Sequence, residues 1–478
     1  MQSLSRREFL ASAAALQGAA PARLNFVFIL IDDMGWRDLT CQGSTFYETP
    51  NIDRLAAQGM RFTDGYAACP VCSPSRASLM TGRYPARLHL TDWIPGRKQW
   101  PTARLLVPQF NQQLPLEEVT IAEALKGARY ATASIGKWHL GGPEFYPERQ
   151  GFDRNVGGTH RGSPASYFGP FDLPNLTGGS PEEYLTDRLT SEALKFIEAN
   201  RSRPFFLYLP HFAVHLPLQA KKQLIAHYQV KARPDDPQRD AVYAAMIHSV
   251  DEAVGLLLRR LDELGIAGRT VVFFTSDNGG LIYEGGRKVP VTSNVPLRAG
   301  KGHVYEGGIR VPLIVHGPGV VKAGVTSKVP ASSQDYFPTI LELAGVKPPA
   351  DRAVDGRSLV PVLRQSGAVK REALYWHYPH YSNQGGVPAG AIRQGDFKLI
   401  EFYEDGRLEL YNLKEDLGER TNLAHRLPKK ASELHALLKR WRASVNAVMP
   451  SPNPNYDPAE ADQGLTGAEP KTEPAPGE

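Results

Sequence analysis

At 478 residues, 42% of them hydrophobic and 22% charged, the chain has a globular composition and the length of two domains rather than one ordinary core. A formal net charge of +5 is small for this length, which argues against a dedicated nucleic-acid binder and permits an anionic substrate. Three cysteines, an odd count, exclude a complete disulfide framework, and no apolar run reads as long enough for a stable membrane span.

Ser5-Arg6-Arg7-Glu8-Phe9-Leu10 reads as a twin-arginine export signal. The apolar run Ala11 to Ala20 follows, and Ala20-Pro21-Ala22 offers a cleavage site of small residues. An amphipathic N-terminal helix is the alternative. Residues 1–22 are set aside as a signal peptide, which implies the Tat translocase as a partner and a periplasmic or secreted mature chain.

Apolar runs then alternate with amphipathic helices, which predicts an α/β fold with a large, mostly parallel central sheet flanked by helices. Leu24 to Ile31 is a continuous apolar strand of the kind buried on both faces, and it ends at Asp32-Asp33. A helix runs from about Ile52 to Gly59. In Cys69-Pro-Val-Cys72-Ser-Pro74-Ser-Arg76-Ala-Ser-Leu79-Met-Thr81-Gly82-Arg83, Pro74 suits a first helical turn and Gly82 a helix end. That puts Cys72 at a helix N-terminus, where free N–H groups and the dipole favour an anion, with Arg76 one turn on. Cys69 and Cys72 also form a C-x-x-C, which leaves open a redox pair, half of a zinc site or plain buried cysteines. Asp92 to Trp100 follows as a basic, aromatic loop.

Thr120 and Glu123 make a capping box for a helix ending near Gly127. The strand Tyr130 to Ile135 ends at Gly136-Lys137-Trp138-His139, and Phe205 to Leu209 ends at His211 and His215. Val242, Met246, Val250, Val254, Leu257, Leu258 and Leu261 recur at helical spacing. Val271 to Phe274 ends at Asp277-Asn278-Gly279-Gly280, and a last strand, Val311 to Val315, follows the glycine-rich segment holding Lys301. Several strands thus end in a carboxylate, lysine or histidine at the edge where open α/β sheets bind ligands.

After Gly356-Arg357-Ser358-Leu359 the texture changes. Ala391 to Arg393, Phe397 to Phe402 and Leu408 to Tyr411 read as short strands, and Lys430 to Ala447 as a helix. The division expected is a catalytic domain over 23–360, a C-terminal subdomain over 361–450 and a disordered tail over 451–478, rich in Pro, Gly, Glu and Ala.

Cys72-x-Pro74-Ser75-Arg76 with Leu79-x-Thr81-Gly82-Arg83 resembles the first signature of the type I, formylglycine-dependent sulfatases of the alkaline phosphatase superfamily, and the likeness extends from about Leu24 to Asp457. The resemblance implies an arylsulfatase-like or carbohydrate sulfatase-like enzyme whose smaller C-terminal domain is a short antiparallel sheet with one helix. It implies that a maturation enzyme oxidises Cys72 to formylglycine (3-oxoalanine). One hydroxyl of the hydrate attacks sulfur, and His139 deprotonates the other to expel sulfate. Asp32, Asp33, Asp277 and Asn278 form an all-oxygen set that suits Ca²⁺, with Mg²⁺ a possibility, over zinc. Taken alone each pair reads as an N-cap or a turn. The resemblance makes them metal ligands, with the group derived from Cys72 as a further one.

Gly136-Lys137-Trp138-His139 is similar to the second sulfatase signature, although Arg129 stands where that pattern has glycine. Lys137 then binds the sulfate or the leaving oxygen, His215 protonates the leaving alcohol, and Lys301 is the second sulfate-binding lysine. His211 is a neighbour rather than the acid. Trp93, Arg97, Lys98 and Trp100 are candidates for a sugar subsite at the pocket mouth. The expected substrate is a sulfate monoester on a small molecule or a glycan. A phosphodiesterase or phosphonate monoester hydrolase of the same superfamily, or an inactive exported glycan-binding homologue, are the alternatives.

Overall fold

Asn25–Ile31 is buried along its whole length, and the pleat divides its side chains between two cores. Val27, Ile29 and Ile31 join one, while Phe26, Phe28 and Leu30 join the other. A strand with no polar face belongs in the middle of a sheet covered on both sides. The computed structural model, which describes residues 23–282 and 289–460, places it there. The expected signal peptide lies outside the described residues.

The main sheet has eight strands. From one edge to the other they are Val325–Ser327, Met60–Phe62, Leu313–His316, Thr270–Ser276, Asn25–Ile31, Phe205–Pro210, Ala131–Ile135 and Arg154–Val156. The five from Thr270–Ser276 to Arg154–Val156 pair in parallel. Leu313–His316 runs antiparallel to both neighbours, so the sheet is mixed but mostly parallel, as expected. The strand expected from Val311 begins at Leu313.

Pro50–Gln58, Leu185–Ala199 and Ala241–Glu263 cover one face, and Cys72–Thr81, Ile121–Gly127 and Tyr336–Ala344 the other. Ala241–Glu263 corrects the expectation that nothing here is long and apolar enough to span a bilayer: its length and composition suffice. Its apolar stripe instead packs into the first core, from Tyr243 to Leu261.

The second unit is a four-stranded antiparallel sheet in sequence order: Leu374–Tyr378, Ala389–Gln394, Phe397–Phe402 and Leu408–Asn412. Its Tyr375, Ile392, Leu399 and Leu410 face the helix Pro428–Ser444. The opposite face, with Trp376, Tyr378, Ala391 and Ile400, packs on Tyr66, Cys69, Val71 and Ile309 of the main body. A buried ionic cluster crosses this junction. Lys398 Nζ lies 2.9 Å from Glu306 and 2.8 Å from Glu419, while Arg310 reaches Glu306 (2.6 Å) and Asp64 (2.8 Å).

The first residues of the tail are not disordered. Ser451–Pro452 pairs with Leu105–Leu106, and the Asn453 amide donates to the carbonyls of Pro101 (2.8 Å) and Ala103 (2.6 Å). Pairing of backbone groups here outweighs a composition that on its own favours disorder. The three cysteines form no disulfide.

Candidate active site

Four parallel strands deliver the candidate residues to one edge. Asn25–Ile31 runs into Asp32 and Asp33, Ala131–Ile135 into Lys137 and His139, Phe205–Pro210 into His215, and Thr270–Ser276 into Asp277 and Asn278. Gly136 takes φ +124°, and a Cβ there would meet the Pro210 carbonyl at 1.9 Å. Only glycine lets the chain turn off the strand and present Lys137. Asp33 (φ +62°) and His139 (φ +59°) hold left-handed conformations, sparsely populated geometries of the sort that gather at active sites.

The helix Cys72–Thr81 begins at Cys72 and ends, as its sequence predicts, at Gly82 with φ +70°. All ten of its residues are buried. The Cys72 sulfur lies 3.4 Å from His139 Nδ1, and His139 Nε2 lies 2.5 Å from the Ile94 carbonyl. A carbonyl can only accept, so Nε2 carries the proton and Nδ1 turns its lone pair toward position 72. Burial, then the charge of Lys137, holds His139 well below the usual histidine range and therefore neutral. Burial also pushes the Cys72 thiol up.

Cations and carboxylates interlock beneath the sulfur. Arg76 Nε donates to Asp277 Oδ2 at 2.8 Å, with Nη2 in ion-pair contact with the same oxygen at 2.8 Å, and Nη1 donates to the Lys137 carbonyl at 2.9 Å. Its guanidinium is thus turned to the carboxylates and to the backbone that carries Lys137. Lys137 Nζ reaches Asp32 Oδ2 at 2.6 Å, and Lys301 Nζ reaches Asp33 Oδ2 at 2.7 Å. Asn278 donates to Asp33 Oδ1 at 2.8 Å. Burial opposes ionisation of Asp33, but Lys301, His215 and Lys137 outweigh it and hold its carboxyl below the ordinary range. At Asp32 burial wins over Lys137, and the carboxyl is pushed up to about 8.

Two oxygens are left over. Asp32 Oδ1 and Asn278 Oδ1 are buried acceptors with no hydrogen-bond partner among the described residues. Asp32, Asp33 and His215 also present one ligand atom each within 4.8 Å of one another. Orphaned buried oxygens beside two more carboxylates fit a hard divalent cation.

His215 Nδ1 lies 3.0 Å from the Leu216 carbonyl, which turns Nε2 toward Asp33 Oδ2 at 3.6 Å. Burial, then Lys301, pushes it down to about 3. Four residues earlier, His211 is buried with Nδ1 unpartnered, pushed down to about 4 by burial alone.

Residues 24–346 match the sulfatase family, and residues 299–444 match the module described as N-sulphoglucosamine sulphohydrolase, C-terminal. The chain belongs to the sulfatase family. It is 38% identical over 396 residues to N-acetylgalactosamine-6-sulfatase of Mus musculus, covering 77% of this chain and 71% of that protein. It is 33% identical over 507 residues to a sulfatase of Formosa agariphila, covering 88% and 89%. Among solved structures, Ps i-CgsB in complex with k-i-k-neocarrahexaose aligns with a TM-score of 0.75 at 29% identity, over 94% of this chain and 98% of that one. A structure in complex with its substrate D-glucosamine-2-N,6-O-disulfate aligns with a TM-score of 0.71 at 25% identity, over 89% and 98%. This sulfatase is accordingly a sulfuric ester hydrolase.

The loop after the helix Cys72–Thr81 packs against the candidate site of this sulfatase. Ser73 Oγ accepts from the Ile94 N–H at 3.2 Å, and the Ile94 carbonyl holds His139. A backbone carbonyl has no residue signature, so nothing in the sequence singles out Ile94. Trp93 is half-buried against the junction with the second sheet, and Lys98 is exposed. Arg97 lies over the Trp100 ring (4.9 Å) and donates to the Ser382 carbonyl (2.8 Å), while Trp100 packs on Tyr381 (4.7 Å). Arg97 and Trp100 therefore tie the loop to the C-terminal unit.

Proposed function

We propose that the sulfatase cleaves sulfate monoesters on carbohydrates, with position 72 as the nucleophile in its formylglycine form and a Ca²⁺ ion beside it. The observation that carries this is the convergence of Cys72, a neutral His139, two lysines and two orphaned acceptor oxygens at one sheet edge. The named substrates of several relatives support the carbohydrate.

Asp32, Asp33, Asp277 and Asn278 would hold the ion, together with an oxygen at position 72; Mg²⁺ would suit the same oxygens, and either ion, when bound, supplies charge that stabilises a sulfate oxygen. Formylglycine, when formed, supplies a hydrate hydroxyl as the attacking group. His139 accepts a proton at Nδ1 from position 72, and the Ile94 carbonyl keeps that nitrogen free. Lys137 and Lys301 donate to sulfate oxygens in exchange for their carboxylate partners. Arg76 positions Asp277 and the Lys137 backbone rather than the substrate. With its Nδ1–H committed to the Leu216 carbonyl, His215 takes up a second proton at Nε2 once the sulfate ester is bound and gives it to the departing oxygen. An anion between Lys137 and Lys301 offsets the two charges that, after burial, discourage its protonation.

Mass spectrometry of active protein should find the Cys72 peptide about 18 Da lighter than the thiol form. Cys72→Ala should abolish turnover with the fold intact. Turnover of a panel of sulfated mono- and oligosaccharides should far exceed that of aryl phosphate diesters. An unmodified thiol in fully active enzyme, or preference for the diesters, would overturn the reading. We further propose export by the Tat translocase to the periplasm or beyond, after a formylglycine-generating enzyme has acted. Lysines at positions 6 and 7 should trap activity in the cytoplasm.

A further inference from the structure

At the far end of the nucleophile helix lies a second concave site. Its ten residues span about 15 Å, and the chain leaves it through Gly82 and Arg83 into Tyr84. There a cleft of about 380 Å³ opens between the two units. The loop around residue 355 forms one wall and is tied to the helix end, since the Gly82 carbonyl accepts from the N–H groups of Asp355 (2.9 Å) and Gly356 (3.0 Å). The C-terminal helix Pro428–Ser444 forms the other through Leu437, Arg440 and Trp441.

Its chemistry is one-sided. Four arginines line it: Arg87, Arg357, Arg371 and Arg440. Two are partly engaged, Arg87 with Asp355 at 2.8 Å and Arg371 with Asp335 at 2.7 Å. Arg357 and Arg440 are exposed, and their guanidinium groups have no hydrogen bond or ion pair among the described residues. Deeper in, Trp441 is only 8% exposed and its Nε1–H has no acceptor among the described residues; Arg371 Nε is likewise buried and unpartnered among them. Buried N–H donors without acceptors are uncommon and call for an acceptor from outside. Asp355 is already taken up by Arg87 and the Tyr84 N–H, which leaves Glu372 at the rim as the lining carboxylate without a partner among the described residues. The floor is aromatic, with Tyr375 and Trp441 stacked at 4.9 Å.

We propose that this cleft is a second, non-catalytic site for an anionic sugar unit, its sulfate or carboxylate taken by Arg357, Arg371, Arg440 and the Trp441 N–H. The volume suits one or two sugar rings, and planar guanidinium groups match both oxyanions. The proposal rests on the carbohydrate reading of the substrate. It assigns the site to a remote stretch of the same polyanionic chain, held while other residues pass the catalytic edge. Two weak attachments on one chain raise its effective concentration at the second.

The test measures binding of a chondroitin 6-sulfate disaccharide, too short to occupy the catalytic edge and the cleft at once, by calorimetry to Cys72→Ala protein, with and without Arg357→Ala plus Arg440→Ala. Both arginines are exposed and outside the catalytic machinery, so the same double variant made in the chain that keeps Cys72 should fold and turn over a small aryl sulfate at the unaltered rate. Two sites per chain should fall to one, the second weakening roughly tenfold or more for each charge-assisted hydrogen bond removed. Trp441→Phe, which keeps the ring and deletes the N–H, should weaken it severalfold. A single site in the parent, or two sites in the double variant, overturns the proposal. Inorganic sulfate binding as tightly as the disaccharide, or a neutral disaccharide without sulfate or carboxylate doing so, overturns the assignment to an anionic sugar. Loss of cleft binding alongside normal aryl sulfate turnover bears on this site alone. Failure to desulfate any sugar while the cleft still binds would sink the carbohydrate reading instead.

Discussion

Lys398→Met tests the junction between the two units. The substitution keeps the length of the stem and removes a charge that sits, fully buried, 2.9 Å from Glu306 and 2.8 Å from Glu419. Breaking a buried ion pair from one side costs about 3–5 kcal/mol, because the surviving charge stays desolvated and unpaired. Glu306 keeps Arg310 at 2.6 Å, so the deficit falls mainly on Glu419, whose remaining partner is the Glu306 N–H at 2.6 Å. The pH dependence has a definite sign. Burial raises the Glu419 carboxyl, Lys398 lowers it and Glu306 raises it again; the outcome is about 7, against an ordinary 4.5. A carboxyl raised on folding adds stability that is fully present below 4.5 and lost as pH climbs through 7. Removing Lys398 raises it further, so the variant suffers most above neutrality and recovers part of its loss near pH 5, where Glu419 is protonated. Urea unfolding midpoints at pH 8 and pH 5 measure both quantities. A deficit below about 1 kcal/mol at pH 8, or equal deficits at the two values, would refute the reasoning.

Asp277→Ala removes a proposed cation ligand and the partner of Arg76 together, so activity should drop by orders of magnitude and bound calcium with it. Stoichiometric zinc without calcium or magnesium in active enzyme would refute the ligand set. Arg129→Gly should stabilise by up to about 1 kcal/mol, read as a rise in unfolding midpoint, because Arg129 holds φ +64°. Trp93→Ala should harm an oligosaccharide far more than a small aryl sulfate if Trp93 meets sugar. Equal losses with a lower melting midpoint would make it a packing residue.

Arg129 also shows what one sequence can and cannot tell. It stands where the signature has glycine, and the structure gives the reason for that glycine. The helix Ile121–Gly127 closes with the Tyr130 N–H on the Leu125 carbonyl (3.0 Å) and the Arg129 N–H on that of Lys126 (2.8 Å), a motif that wants a left-handed residue at 129. Asp32, Lys137 and Asp277 were legible because a charged residue directly after a buried run can sit only at a strand end. The capping box was legible too, and both of its bonds form. The strand Leu374–Tyr378 was not, since all five residues are buried and no alternation marks it. Met60–Phe62, Arg154–Val156 and Val325–Ser327 are three residues each, too short for a period. Arg76 was legible as a cation near the proposed nucleophile, but its turn toward Asp277 depends on an element 201 positions away.

The ten buried residues of Cys72–Thr81 carry a consequence for timing. With 3% of Cys72 exposed, the folded chain gives another protein no access to its sulfur. Under the proposed chemistry, oxidation has to occur while this stretch is still extended, during synthesis or just after it. Folding and maturation then compete for the same polypeptide, and a molecule that folds first is trapped as an inert thiol. The fraction of active enzyme becomes a kinetic record of that race. Slowing the folding of the first hundred residues should raise it, whereas adding maturation enzyme to finished protein should not.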